Sequence, residues 1–233
     1  MKYCQNLNYY LDHMLNDGAV KLPSVKDAIW RKETYEDCLK AIGNKSYGEN
    51  LGPNLRFLKN TNILSSLLPK LVEIAQEKMG VTVDSSDIYN VCRLVRPGDK
   101  AEGYRGHFDS HLFTLVTPIN IPNFENIKDA GQLHYYPYAR LKPTSEIKNV
   151  IGKMSYKRFN TQEGFDKLAL KKKRIIEDFQ DYCPLLFLGN TTFHGNSPVQ
   201  FNSTENRMTI LTHFFDPSPK YGIGNMMRKI RRR

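Results

Sequence analysis

The 233-residue chain suits one domain with a sizeable core, and its 40% hydrophobic share is that of a globular protein rather than a disordered one. No apolar run approaches the roughly 20 residues of a membrane span, and the N-terminus lacks the apolar core of a signal peptide, so a cytoplasmic protein is expected. The formal charge of +10 is local: five cations among residues 228–233 and four at 171–174 hold nearly all of it, with no nucleic-acid-binding motif around them.

In chain order, residues 3–15 have the periodicity of an amphipathic helix, with Leu7, Leu11, Met14 and Leu15 near one face and Gly18 as its stop. Residues 19–23 alternate like a short strand. Ser24 is a good N-cap for a second helix through Ile42, with Asp27 in its first turn and Trp30 in the core. Residues 44–60, rich in glycine and asparagine, read as a loop, either a lid or an idle surface segment. A helix follows over 63–79, in which Pro69 marks a kink or opens a separate helix.

After Val81 the period changes from 3.6 to 2. Strands are expected at 88–95, around His107, at 132–136, at 185–189 and at 207–215, with a turn at 96–99. Residues 144–182 look like a lysine-rich insertion, helical over 162–179. Helices first and antiparallel strands afterwards argue an α+β arrangement around a β-sandwich or barrel. The expected organisation is a single domain over 1–233: helical support at 1–86, a strand core at 87–216 and a basic tail at 217–233. Cys4, Cys38, Cys92 and Cys183 form no C-x-x-C pair and are expected to be free thiols.

The chemistry centres on Gly106-His107-Phe108-Asp109-Ser110-His111. On a strand, His107 and Asp109 project from the same face and offer two of the three ligands of a non-haem ferrous site, although two polar residues at a strand end read equally simply. His194, in Phe193-His194-Gly195-Asn196, is the candidate third ligand. Arg207 and Thr209 share a strand face, where a buried guanidinium beside a hydroxyl is best explained by a bound anion.

This order and spacing resembles the iron(II)- and 2-oxoglutarate-dependent oxygenases, whose pattern is H-x-D, a distal His, and an Arg followed two residues on by Ser or Thr. The resemblance covers about 88–215. Residues 17–23 are similar to the opening of the phytanoyl-CoA dioxygenase-like branch, and Arg96-Pro97-Gly98-Asp99 with Gly103-Tyr104-Arg105-Gly106-His107 to the prolyl-hydroxylase branch. It implies a double-stranded β-helix (jelly-roll, cupin-like) core, Fe(II) held by His107, Asp109 and His194, and 2-oxoglutarate anchored by Arg207 and Thr209. It further implies O2 as oxidant, and hydroxylation of a small-molecule or peptidyl substrate with release of succinate and carbon dioxide. Tyr104 is a candidate on the cosubstrate or substrate side. The chain departs from the prolyl-hydroxylase pattern in lacking a tyrosine near Val95. A carboxylate at position 109, where halogenases of the superfamily have a small residue, favours hydroxylation. His111 offers a rival H-x-D-x-H triad; His134 and His213 read as core or supporting residues, and His13 as part of the first helix face. A non-redox cupin-like binding module and a nucleic-acid-binding protein using the basic tail are the alternative readings.

Overall fold

A computed structural model describes residues 6–25, 29–52, 63–99, 103–124 and 130–217. Cys4, Asp27 and the basic tail lie outside these, as does part of the predicted 44–60 loop.

The first helix, α1 (Leu7–Asp17), ends where Gly18 takes the left-handed conformation and its N–H closes on the Met14 carbonyl. Strand β1 (Ala19–Lys21) leads to α2 (Ile29–Ile42). The predicted loop then contains a strand, β2 (Tyr47–Glu49), which pairs with β3 (Ile88–Val95) along an edge. Helix α3 (Ile63–Glu73) runs through Pro69 as one element and widens into a π-helical turn at Ile74–Lys78.

Among the described residues nine strands pack as two antiparallel sheets, with β2 at one edge of the larger. The larger has the order β1-β7-β4-β9-β3-β2, with β4 at Phe113–Asn120, β7 at Leu185–Leu188 and β9 at Arg207–Phe214. The smaller has the order β6-β5-β8, with β5 at Leu133–Tyr136, β6 at Ile175–Glu177 and β8 at Phe193–Asn196.

Strand alternation assigns each face a job. On β9, Met208, Ile210 and Phe214 join the core that α1, α2 and α3 cover from outside, built with Met14, Cys38 and Leu71. The opposite face of the large sheet meets the small sheet over Val116, Leu133, Tyr135, Phe179, Leu185 and Phe187. The outer face of the small sheet is covered in turn by the insertion, through Phe108, Tyr136, Phe165, Leu168 and Phe193. Trp30 sits partly buried at the margin of the first core.

The insertion differs from the sequence expectation. Its helices are α4 (Glu146–Tyr156), capped by the Ser145 hydroxyl, and α5 (Gln162–Ala169), capped by Thr161. The expected helix over 162–179 stops at Ala169, because residues 175–177 are taken by the small sheet as β6, paired with β5. Cys38, Cys92 and Cys183 are free thiols.

Candidate metal centre

The segment around His107 is not a regular strand. It makes one two-residue bridge: the His107 N–H donates to the His194 carbonyl (2.9 Å) and the His194 N–H donates back (3.0 Å). Residues directly opposed in an antiparallel pair send their side chains to the same side. This single bridge, between residues 87 positions apart, places the two imidazoles together, with ring centroids 4.4 Å apart. Alternation survives locally. Phe108 turns to the outer core against Phe193 and Tyr156, so His107 and Asp109 face inward. Gly106 is required here, since a Cβ would lie 2.1 Å from the Phe193 ring.

Asp109 is fixed by its own N–H, which donates to the Gly189 carbonyl (3.0 Å), and Gly189 is itself packed with no room for a Cβ beside Thr114 and Asp109. One ligand atom each from His107, Asp109 and His194 falls within a mutual distance of 4.8 Å. His107 Nε2 lies 3.5 Å from Asp109 Oδ1, and His194 Nε2 3.7 Å from Oδ2. Donors on one face of an octahedral ion with bonds of about 2.1 Å stand about 3 Å apart, so small side-chain rotations close the set.

Hydrogen bonds prepare each ligand. Nδ1 of His107 is 3.0 Å from the Arg105 carbonyl and Nδ1 of His194 is 3.2 Å from the Thr192 carbonyl. Carbonyls only accept, which assigns the proton to Nδ1 in both rings and leaves each Nε2 lone pair for an ion. The Thr114 hydroxyl donates to Asp109 Oδ2 (2.6 Å) and in turn accepts from His213 Nδ1 (3.0 Å). Burial alone would raise the Asp109 carboxyl, but His194, His213 and His107 hold it well below the usual carboxylate range. Burial depresses His194 to about 4, so at neutral pH the pair is a carboxylate and a neutral imidazole, the protonation states of metal ligands.

Arg207, Thr209, Leu211 and His213 are the residues of β9 opposite the helix-facing set, and His213 contacts Asp109. Arg207 and Thr209 therefore lie on the same sheet face as the cluster. Arg207 is only 2% exposed, its Nη1 has no hydrogen-bond partner, and among the described residues no carboxylate pairs with it. Burial, with nearby Arg93, pushes its guanidinium down to about 9. Arg93 stands opposite Thr209 in the β3–β9 pair.

Tyr104 is not brought to this cluster: it packs on the outer face of the small sheet against Phe165 and His134, whereas His194 faces inward against Phe187. His111 stacks on Tyr89 and His213 and does not join the ligand set. His134 also turns outward, and burial lowers it to about 4. Sequence reading missed Thr114 as an Asp109 partner. It also missed Tyr135, directly opposite His194 in the β5–β8 register and buried in the inter-sheet core.

No family model matches the sequence, and no curated protein matches it. Solved structures do match. A prolyl-4-hydroxylase from Pseudomonas putida aligns over 90% of this chain and 98% of its own at TM-score 0.52 and 13% identity. The epimerase SnoN, solved with Fe3+, α-ketoglutarate and nogalamycin RO, aligns over 94% and 88% at TM-score 0.55 and 14% identity. A prolyl hydroxylase from Trichoplax adhaerens, in complex with a hypoxia inducible factor peptide fragment, aligns over 90% and 88% at TM-score 0.53 and 16% identity. The chain thus has the double-stranded β-helix fold that these enzymes share, with a His-Asp-His cluster between its sheets.

Proposed function

We propose that the protein is an iron(II)- and 2-oxoglutarate-dependent oxygenase that hydroxylates an unactivated C–H bond of a small-molecule or peptidyl substrate. The observation that carries this reading is the convergence of His107, Asp109 and His194 on one point, on the sheet face that also bears a buried guanidinium with no acidic partner among the described residues. When bound, ferrous iron with 2-oxoglutarate and dioxygen supplies the oxidising chemistry, with succinate and carbon dioxide released.

In this reading His107 Nε2, Asp109 Oδ1 and His194 Nε2 hold the ion, and three protein donors leave open positions for the cosubstrate and oxygen. Arg207 pairs with the distal carboxylate of 2-oxoglutarate, and Thr209 adds a hydroxyl beside it. A non-redox cupin-like site gives no reason for that buried cation. The inter-sheet core around Phe187 and Tyr135 excludes water from the inner side, whereas the His107 side chain, 47% exposed, marks the side open to substrate.

The test is succinate formation from 2-oxoglutarate, screened against amino acids, prolyl peptides and small acids. Iron-dependent succinate release that disappears in Asp109→Ala is expected. Release that persists in that variant would contradict the assignment.

A further inference from the structure

Helix α4 is amphipathic yet has no buried residue. Its aliphatic side chains Ile147, Ile151 and Met154 are 63%, 60% and 62% exposed. At about 100° per residue they fall within one narrow stripe, with Lys148 on one side and Lys157 on the other. Two exposed leucines also have cationic sequence neighbours: Leu141, just before the insertion, between Arg140 and Lys142, and Leu170 within it, ahead of Lys171, Lys172 and Lys173. From residue 140 to 158 six cations accompany one carboxylate, Glu146.

Arg140 braces the inner side of α4, the side turned away from the stripe. Arg140 donates to Asn149 of α4 and lies against Gly152. It also lines a cavity of about 320 Å³ together with Leu141, Lys142, Lys172 and the buried Asn190, whose Oδ1 is unbonded. Arg140 is itself part-buried and faces no carboxylate among the described residues, and burial lowers it to about 10. The outward side of α4 is thus an aliphatic stripe bordered by the exposed Lys148 and Lys157.

We propose that this outer face of the insertion docks on an anionic phospholipid membrane. Interfacial helices have this composition, with aliphatic side chains entering the headgroup and acyl boundary while lysines extend to the phosphates. A protein-binding patch is enriched in aromatic residues and arginine and depleted in lysine; the residues that border the α4 stripe are Lys148 and Lys157. Nucleic acid would use the cations but not the exposed isoleucines. The described helices include none long and apolar enough to cross a bilayer, so the attachment is peripheral. Lys153 of α4 donates to Ser110, next to Asp109, and Tyr156 packs on Phe108, so the docked helix is braced against the metal-site segment.

The full-length chain, tail included, is sedimented with phosphatidylcholine vesicles and with vesicles containing about one-third phosphatidylserine. Binding to the anionic vesicles alone is expected, with about tenfold weaker binding in Ile147→Ser/Ile151→Ser and in Lys148→Glu/Lys157→Glu, at unchanged melting temperature. No binding to either vesicle would overturn the proposal. So would undiminished binding of the isoleucine variant, which would assign the attraction to charge alone. Tight binding of a single-stranded oligonucleotide that vesicles do not displace would assign the cations to nucleic acid instead.

Discussion

At the scale of single residues, the site is governed by how each polar group is satisfied. Thr114 is the least conspicuous member and has a definite role: its hydroxyl holds Asp109 Oδ2 and passes on the constraint from His213. Thr114→Val keeps the volume and removes that bond. A loss of about 10- to 100-fold in divalent-metal affinity is expected by calorimetry, with the fold intact, because partners of ligands have effects of this size. Arg207 predicts a sharper contrast. Its guanidinium is buried with no counter-charge among the described residues, so Arg207→Met should leave thermal stability equal or higher. The same change should weaken 2-oxoglutarate by about 100-fold, the scale of a lost buried charge pair. A variant that melts lower and keeps the cosubstrate would show a structural role instead. The grouping of His107, Asp109 and His194 was legible in their order and spacing, an H-x-D followed by a distal His and then an Arg, and not in the H-x-D alone. Thr114 was not, and His213 was read only as a core or supporting residue, since their approach to Asp109 depends on the β4–β9 register, which no local pattern specifies.

At the scale of elements, one ion-pair cluster ties the two sheets along an edge. Lys21 of β1 donates to Glu177 of β6 (3.1 Å) and pairs with Asp181, while the Phe179 N–H also donates to Glu177. Burial raises the Glu177 carboxyl despite Lys21, so removing the lysine leaves a buried, uncompensated acid. Lys21→Met should lower stability by about 1–2 kcal/mol at neutral pH, a figure kept small because Lys21 is substantially exposed. The ion pair contributes above the carboxylate range and is lost as pH falls through it. The deficit, measured by urea denaturation, should therefore shrink towards pH 4, and a deficit independent of pH would point to packing alone. Elements were readable where periodicity was long, as in β3, β9 and α1. Two were missed where a three-residue strand lacks an apolar run of its own and exists because a partner takes it up. Tyr47–Glu49 inside a glycine-rich loop and Ile175–Glu177 beyond α5 are of this kind. Gln162–Ala169 ended early for the same reason.

At the scale of the whole molecule, the fold is a stack of helices, large sheet, small sheet and insertion, with Asp109 and His194 of the cluster buried between the sheets and His107 on its exposed side. Helices followed by antiparallel strands were visible in the change of period. Which strands share a sheet was not, because β1 pairs with β7 across more than 160 residues. Ligand binding across these layers should couple to stability. A divalent ion at about 100 times its dissociation constant adds about 2.7 kcal/mol, several degrees of melting temperature for a chain of this size, and Asp109→Ala should abolish the shift.

The most direct test is an anaerobic titration of the purified protein with ferrous iron and then 2-oxoglutarate, followed by visible absorption. The account predicts a metal-to-ligand charge-transfer band that requires both additions, is absent in Asp109→Ala and needs far more 2-oxoglutarate in Arg207→Met. An intact protein that takes up iron and 2-oxoglutarate yet shows no band, or a band unchanged in Asp109→Ala, would contradict it.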